Sequence, residues 1–293
     1  MSGFGRVGVV GAGLMGSGIA QAAATSGFDI ILRDVEEPAL RKARSGIEKS
    51  TAKFVEKGQL TAEARDAALS RVSTTTDLEQ MSACELVVEA IVEDAAAKGR
   101  LFQELDSVCP PSTVFASNTS SLGISDLAAG SGRPDRFVGL HFFNPVPLMP
   151  LVEVIRGDAT SEATYRGALD FVRALGKETV EARDVPGFVV NLLLVPFLLD
   201  AVRALERGVA STADIDRGMV LGCGHPMGPL TLLDFVGLDT VVRIGEIMHA
   251  GYGEERYAAP PLLKRMVAAG SLGKKSGRGF YDYSIAPPAP VNL

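Results

Sequence analysis

Along the first 185 residues, short apolar runs alternate with longer segments whose apolar positions recur at helical spacing. Arg6-Val7-Gly8-Val9-Val10 is β-rich and ends at Gly11, Leu14 to Ser26 is alanine-rich and helical, and Asp29 to Leu32 is a second strand closing on Arg33-Asp34. Strand, glycine turn, helix and strand within about thirty residues make a βαβ unit. Glu36 to Ser70 is charged and predicts a helical hairpin turning near Gly58. Strand patterns resume at Leu86 to Val92 and Thr113 to Ala116, with a helix from about Ala95 to Cys109 between them. Phe137 to Phe142 and Leu151 to Ile155 are further strands, joined by the proline-rich stretch from Asn144 to Pro150. A helix, Ser161 to Leu175, and a strand, Glu178 to Glu181, complete this half. The alternation predicts an α/β fold, a doubly wound, mostly parallel sheet of Rossmann type.

After Asp184-Val185-Pro186-Gly187 the texture changes to Leu-, Ala- and Met-rich sequence with helical spacing. A domain boundary is expected there: residues 1–185, with the helical excursion at about 36–70, then a smaller all-helical domain of residues 186–293. The apolar run Phe188 to Leu199 is broken by Asn191 and Pro196 and predicts a buried helix. It is shorter than the ~20 apolar residues a membrane span requires. The tail from Ala286 to Leu293 is proline-rich and expected to fray.

Composition narrows the function. A net charge of −6 with no long basic run argues against nucleic-acid binding. Cys84, Cys109 and Cys223 are odd in number and lack metal-ligand spacing, so reduced thiols and no metal site are expected. Met1 to Arg6 runs into the first strand without an apolar leader, which points to a soluble, cytoplasmic protein.

Gly11-Ala12-Gly13-Leu14-Met15-Gly16 matches G-x-G-x-x-G between a strand and a helix. In such a turn the first glycine permits the bend, the second lets backbone approach a pyrophosphate, and the third allows close helix–sheet packing. The helix N-terminus offers N–H groups to phosphates. Asp34 ends the second strand, 23 residues after Gly11. A carboxylate there accepts from a ribose 2′-hydroxyl and repels a 2′-phosphate, which favours NAD over NADP, although Arg33 beside it pulls the other way. The bland alternative is a glycine turn that merely packs the sheet.

Oxidising an alcohol with NAD needs a base, and histidine suits neutral pH. The chain has His141, His225 and His249. His141 ends a predicted strand and Glu153 lies in the next, so a carboxylate could orient the ring if the two strands approach. Ser120 lies just beyond the Thr113 strand, where open α/β sheets bind ligands. Asn191 opens the second domain and could reach an interdomain cleft across a Pro186-Gly187 hinge. Each residue also has an ordinary structural reading: a core histidine, a surface acid, a turn serine, a buried asparagine. His225 reads as structural and His249 as exposed.

Longer motifs distinguish these readings. Asn118-Thr119-Ser120-Ser121, His141-Phe142-Phe143-Asn144-Pro145, Leu151-Val152-Glu153-Val154, Pro186-Gly187-Phe188-Val189-Val190-Asn191, Pro226-Met227-Gly228-Pro229 and Gly273 to Tyr281 resemble the short-chain 3-hydroxyacyl-CoA dehydrogenases, bacterial 3-hydroxybutyryl-CoA dehydrogenases above all. The resemblance spans essentially the whole chain. It implies NAD-dependent, reversible oxidation of a (S)-3-hydroxyacyl-CoA, with His141 as base, Glu153 as its partner, and Ser120 and Asn191 as donors to substrate oxygens. It also implies cofactor contacts from Gly11, Gly13, Leu14, Met15, Gly16, Asp34, Glu93, Lys98, Ser120, Asn144 and Lys275. Ser50 and Lys57 would meet the coenzyme A phosphates, with Lys42, Lys49 and Lys53 as nearby competitors. A homodimer formed through the second domain is expected.

Two alternatives stand beside this. The same chemistry could act on an acyl-carrier-protein thioester, or the chain could be a non-catalytic relative of lambda-crystallin type. The β-hydroxyacid dehydrogenases similar to 6-phosphogluconate dehydrogenase carry a lysine four residues before an asparagine. Gly187 stands four before Asn191, so that chemistry is not expected.

Overall fold

A computed structural model describes residues 3–291, which divide into two compact units between Val185 and Pro186. Met1, Ser2, Asn292 and Leu293 lie outside the described residues, so the expectations for the first residues and for the end of the tail fall partly outside them.

The first unit is built on one eight-stranded sheet. Its strands are β1 (Arg6–Val10), β2 (Asp29–Arg33), β3 (Val72–Thr75), β4 (Leu86–Glu89), β5 (Val114–Ser117), β6 (Phe137–Phe142), β7 (Leu151–Arg156) and β8 (Glu178–Arg183), in the order β3-β2-β1-β4-β5-β6-β7-β8. The first six pair in parallel, β7 runs antiparallel to β6, and β8 is parallel to β7. This is the doubly wound, mostly parallel sheet that the alternation predicts. The reversal at β7 follows from chain length. Parallel neighbours need a crossover of about a dozen residues or more, and the loop after β6 is too short for one.

Helices α1 (Leu14–Thr25), α2 (Glu37–Glu56), α3 (Ala62–Ser70), α4 (Ala95–Val108), α5 (Ile124–Ala129) and α6 (Glu162–Ala174) connect the strands. β4, β5 and β6 are buried along their whole length, as expected where helices cover both faces of a sheet. Ile19, Ala20 and Ala23 of α1 join Val7, Val9, Val88, Ala116, Val138 and Leu140 in the core. α2 buries Leu40, Ala43, Ile47 and Thr51, one face of a helix, and turns into α3 at Gly58, where φ is 67°. β3 and α5 have no counterpart in the sequence reading. β3 is Val-Ser-Thr-Thr at the sheet edge and carries almost no apolar signal. β4 ends at Glu89 rather than Val92, because Ile91 to Glu93 belong to the loop that follows.

The second unit packs α7 (Val190–Glu206), α8 (Thr212–Cys223), α9 (Pro229–Val236), α10 (Leu238–Tyr252) and α11 (Pro261–Ala268) around Val195, Leu198, Leu199, Val202, Leu230, Leu233 and Leu263. The helical reading gains one small addition, a two-residue antiparallel ladder of β9 (Tyr281–Asp282) and β10 (Ala289–Pro290). The tail therefore does not fray where predicted: Val291 N–H donates to Phe280 C=O at 2.9 Å. α7 buries Val195, Pro196, Leu198 and Leu199, whereas Leu193 is 66% exposed.

Two buried aspartates, neither singled out by the sequence, organise this unit. Asp216 accepts from the backbone N–H groups of Leu230 (2.7 Å) and Thr231 (2.9 Å), capping α9, and from the Tyr281 hydroxyl at 2.9 Å. Asp234 accepts from Phe280 N–H and Tyr281 N–H, each at 2.9 Å, and from the Tyr283 hydroxyl at 3.1 Å. Burial pushes the Asp234 carboxyl up to about 6, against the pull of those donors. Among the described residues no helix is long and apolar enough to cross a membrane.

Candidate active site

The turn between β1 and α1 has the shape its glycines require. Gly11 has φ of 104°, and a Cβ there would lie 2.5 Å from the Ala90 carbonyl oxygen. A Cβ on Gly16 would lie 1.7 Å from the Gly11 carbonyl oxygen, so only glycine lets α1 start this close to the strand. A Cβ on Gly13 would meet nothing within 4 Å, and no side chain caps α1 at that position. The first N–H groups of the helix therefore face a cavity of about 630 Å³, lined by Gly11, Gly13, Leu14, Met15, Asp34 and Arg100 among others. The Asp34 carboxylate is fixed on its wall, accepting from Ala12 N–H at 2.7 Å and Glu36 N–H at 3.1 Å. Open backbone, a helix N-terminus and a held carboxylate fit a dinucleotide diphosphate and ribose.

Beside this cavity lies a network that the sequence reading only half contains. Glu89, at the end of β4, is fully buried. Its Oε1 receives Lys98 Nζ at 2.6 Å and Ile91 N–H at 2.7 Å, and its Oε2 receives the Ser117 hydroxyl at 2.6 Å. Lys98, 1% exposed, also reaches Glu93 Oε2 at 3.2 Å. Glu93 Oε1 gathers the loop after β5, accepting from the Thr119 hydroxyl (2.6 Å), Ser120 N–H (2.9 Å) and the Ser121 hydroxyl (3.1 Å). Burial would raise the Glu93 carboxyl, but the Lys98 charge and these donors hold it below the usual range. Lys98 is thus buried with its ammonium between the carboxylates of Glu89 and Glu93. Glu89 belongs to none of the sequence motifs, and its one sequence signal is a carboxylate ending the otherwise apolar run Leu86-Val87-Val88.

The histidine sits where the reversal of the sheet puts it. In the β6–β7 register His141 stands directly opposite Glu153, and its Nδ1 is 2.6 Å from Glu153 Oε2. His141 is 4% exposed and Glu153 fully buried. An ionised carboxylate only accepts, so Nδ1 carries the hydrogen and Nε2 is the basic nitrogen of the neutral ring. The Phe143 ring packs 4.5 Å from the imidazole, centroid to centroid. Asn118, which the sequence offered only as part of a motif, accepts from Phe142 N–H at 2.9 Å and so ties the serine loop to β6. Asn144 follows β6, immediately before the cis peptide to Pro145.

The remaining predicted residues are placed separately. Ser50 is half-buried on α2 and Lys57 is exposed just after it. At about 100° per residue, Lys42, Lys49, Ser50, Lys53 and Lys57 fall within one face of that helix. Asn191 is the second residue of α7. Lys275 lies in a single 3-10 turn of the second unit, with Nζ 2.5 Å and 2.8 Å from the two Asp239 carboxylate oxygens. The His225 ring packs edge-on to Phe197. His249 is half-buried rather than exposed, with Nδ1 2.9 Å from the Glu254 carbonyl oxygen.

Residues 6–185 match the family model described as "3-hydroxyacyl-CoA dehydrogenase, NAD binding domain", and residues 187–283 match "3-hydroxyacyl-CoA dehydrogenase, C-terminal domain". The chain is 46% identical to 3-hydroxybutyryl-CoA dehydrogenase of Bradyrhizobium diazoefficiens, covering 98% of each chain. It is 49% identical to the mitochondrial hydroxyacyl-coenzyme A dehydrogenase of Homo sapiens, covering 95% of this chain and 91% of that one. The crystal structure of (S)-3-hydroxybutyryl-CoA dehydrogenase from Ralstonia eutropha superposes with a TM-score of 0.92 at 41% identity, covering 96% of this chain and 100% of the other. With both domain models matched in order, a dinucleotide turn at the carboxyl end of β1 and a histidine–carboxylate pair between the antiparallel β6 and β7, the chain belongs to the NAD-dependent 3-hydroxyacyl-CoA dehydrogenase family.

Proposed function

We propose that the protein oxidises a short-chain (S)-3-hydroxyacyl-CoA, 3-hydroxybutyryl-CoA in particular, reversibly to the 3-oxoacyl-CoA, with His141 as general base. The observation that carries this reading is the buried hydrogen bond between His141 Nδ1 and Glu153 Oε2. Bound NAD supplies the hydride acceptor. His141 Nε2 takes the proton of the substrate 3-hydroxyl as the C3 hydrogen leaves with its electron pair, and the Glu153 carboxylate stabilises the imidazolium so formed. Such a base contributes roughly 10²–10⁴-fold.

The other assignments rest on the family likeness and are proposed with it. Ser120 and Asn191 donate to substrate oxygens. Gly11, Gly13, Leu14, Met15, Gly16, Asp34, Asn144 and Lys275 serve the cofactor, and Glu93 serves it with Lys98 acting from behind. The held Asp34 carboxylate supports NAD over NADP. The lysine face of α2, with Ser50 and Lys57, supports a coenzyme A thioester over an acyl-carrier-protein thioester. Both handles carry phosphopantetheine, and only coenzyme A adds an adenosine phosphate for lysines to meet. A homodimer through the second unit completes the proposal.

One assay separates the readings: initial rates of reduced-cofactor formation on C4 to C16 (S)-3-hydroxyacyl-CoAs and on 3-hydroxybutyryl-acyl carrier protein, with NAD and with NADP. Highest kcat/KM with the C4 thioester and NAD is expected. Equal use of NADP contradicts the part given to Asp34, and preference for the carrier-protein thioester contradicts the part given to the α2 lysines. Absence of turnover on every substrate favours a structural role.

A further inference from the structure

We propose that Lys177 is a positioning residue for proton transfer: its ammonium locks the loop between the strands bearing His141 and Glu153, and so fixes the base relative to the dinucleotide-binding helix. The proposal rests on the reading of His141 as base.

Lys177 follows Gly176 in the turn between α6 and β8 and is only 9% exposed. Its Nζ donates to the carbonyl oxygens of Val146 and Met149, each at 2.7 Å. Both belong to the loop joining β6 to β7. That loop contains Pro145, Pro147 and Pro150, which have no N–H to donate. Its own closure consists of Leu148 N–H and Met149 N–H donating to the Pro145 carbonyl at 2.9 and 3.0 Å. Buried carbonyls require donors, and a loop this rich in proline cannot supply enough from its own backbone. Lys177 brings them from outside. Among the described residues it forms no ion pair, so its charge serves these two carbonyls, and burial holds its ammonium below the ordinary lysine value.

Two consequences for the site follow from what this loop touches. On one side it sets the β6–β7 register, in which His141 faces Glu153. A slip of one residue would turn Glu153 to the opposite face of the sheet. On the other side Val146, 2% exposed, packs against α1 at Gly18, where a Cβ would lie 2.9 Å from Val146 Cβ. The loop thus links the helix that opens at the dinucleotide turn to the strand that ends in the base. Lys177 is the clamp on that link, although it is remote from the reacting atoms in sequence and carries no chemistry of its own.

The test uses the full-length protein with Lys177→Met, Gly18→Ala and His141→Ala in parallel. Gly18→Ala presses on Val146 from the helix side while leaving Lys177 intact and favouring the helix, so it reports even if Lys177→Met does not fold. Three quantities are read: the single-turnover rate with 3-hydroxybutyryl-CoA, NAD affinity by fluorescence, and amide hydrogen exchange over residues 143–150. Misplacing a reacting group by about 1 Å costs on the order of 100-fold. Lys177→Met and Gly18→Ala should therefore slow single turnover by roughly 10- to 100-fold, with faster exchange in the loop and NAD affinity little changed. If His141→Ala is slow while Gly18→Ala and folded Lys177→Met both turn over at the wild-type rate, the clamp is overturned and the base reading survives. An unimpaired Gly18→Ala beside an unfolded Lys177→Met overturns it equally. If His141→Ala itself keeps the wild-type rate, the base reading fails first.

Discussion

Among single residues, Asp234 makes a testable case. Burial raises its carboxyl to about 6, with the Asp216 charge adding to the rise and the Phe280, Tyr281 and Tyr283 donors limiting it. On unfolding it returns to about 3.9. Between those values the folded chain holds a proton that the unfolded chain has released, so this residue's contribution to stability falls as pH rises from about 4 to 6. The chain has no tryptophan and five tyrosines, four of them (Tyr252, Tyr257, Tyr281 and Tyr283) in the second unit, so tyrosine fluorescence reports that unit. Denaturant titrations should show wild-type stability falling relative to Asp234→Asn across that window. A difference that rises or stays flat contradicts the raised carboxyl. In the sequence Asp234 and Lys177 read as solvated charges, because a charged residue does so until its partners are known. His141 and Glu153 stand out locally, as a histidine and an acid in neighbouring strands, but that they face each other depends on an antiparallel register fixed elsewhere.

At the scale of elements, apolar periodicity found the long helices and the buried strands, since those segments must hide a continuous face. It failed where packing rather than hydrophobicity decides. β3 is held by its ladder to β2, and the six-residue α5 is capped at its first two N–H groups by the Asp184 carboxylate, at 2.8 and 2.6 Å. Leu198, Leu230 and Leu233 are fully buried, while Leu193, Leu221, Phe235 and Val236 remain 66, 71, 47 and 38% exposed. Large apolar side chains left uncovered on α7, α8 and α9 support the proposed homodimer, because burying such surface contributes about 25 cal/mol per Å². Sedimentation at micromolar concentration should give a species of twice the 30.8 kDa chain mass. A lone species at the chain mass contradicts it.

For the whole molecule, the division of labour follows the chain. The first unit carries the dinucleotide turn, the Glu89–Lys98–Glu93 network that holds the serine loop, and the hairpin that pairs His141 with Glu153. Asn191 and Lys275, proposed above for substrate and cofactor, lie on α7 and in a 3-10 turn of the second unit. The two-part order of the sequence was visible from its change of texture, and the family from motifs in both parts. The substrate's chain length was not visible, because it depends on the shape of a site rather than on any residue type. The central claim is that the imidazole held by Glu153 removes the substrate proton. Its most direct test is the pre-steady-state rate of NADH formation from 3-hydroxybutyryl-CoA in wild type and His141→Ala, with NAD affinity measured on the same samples. The account predicts a rate lowered by roughly 10²–10⁴ at unchanged NAD affinity. A rate close to wild type, or a loss that NAD affinity fully explains, would contradict it.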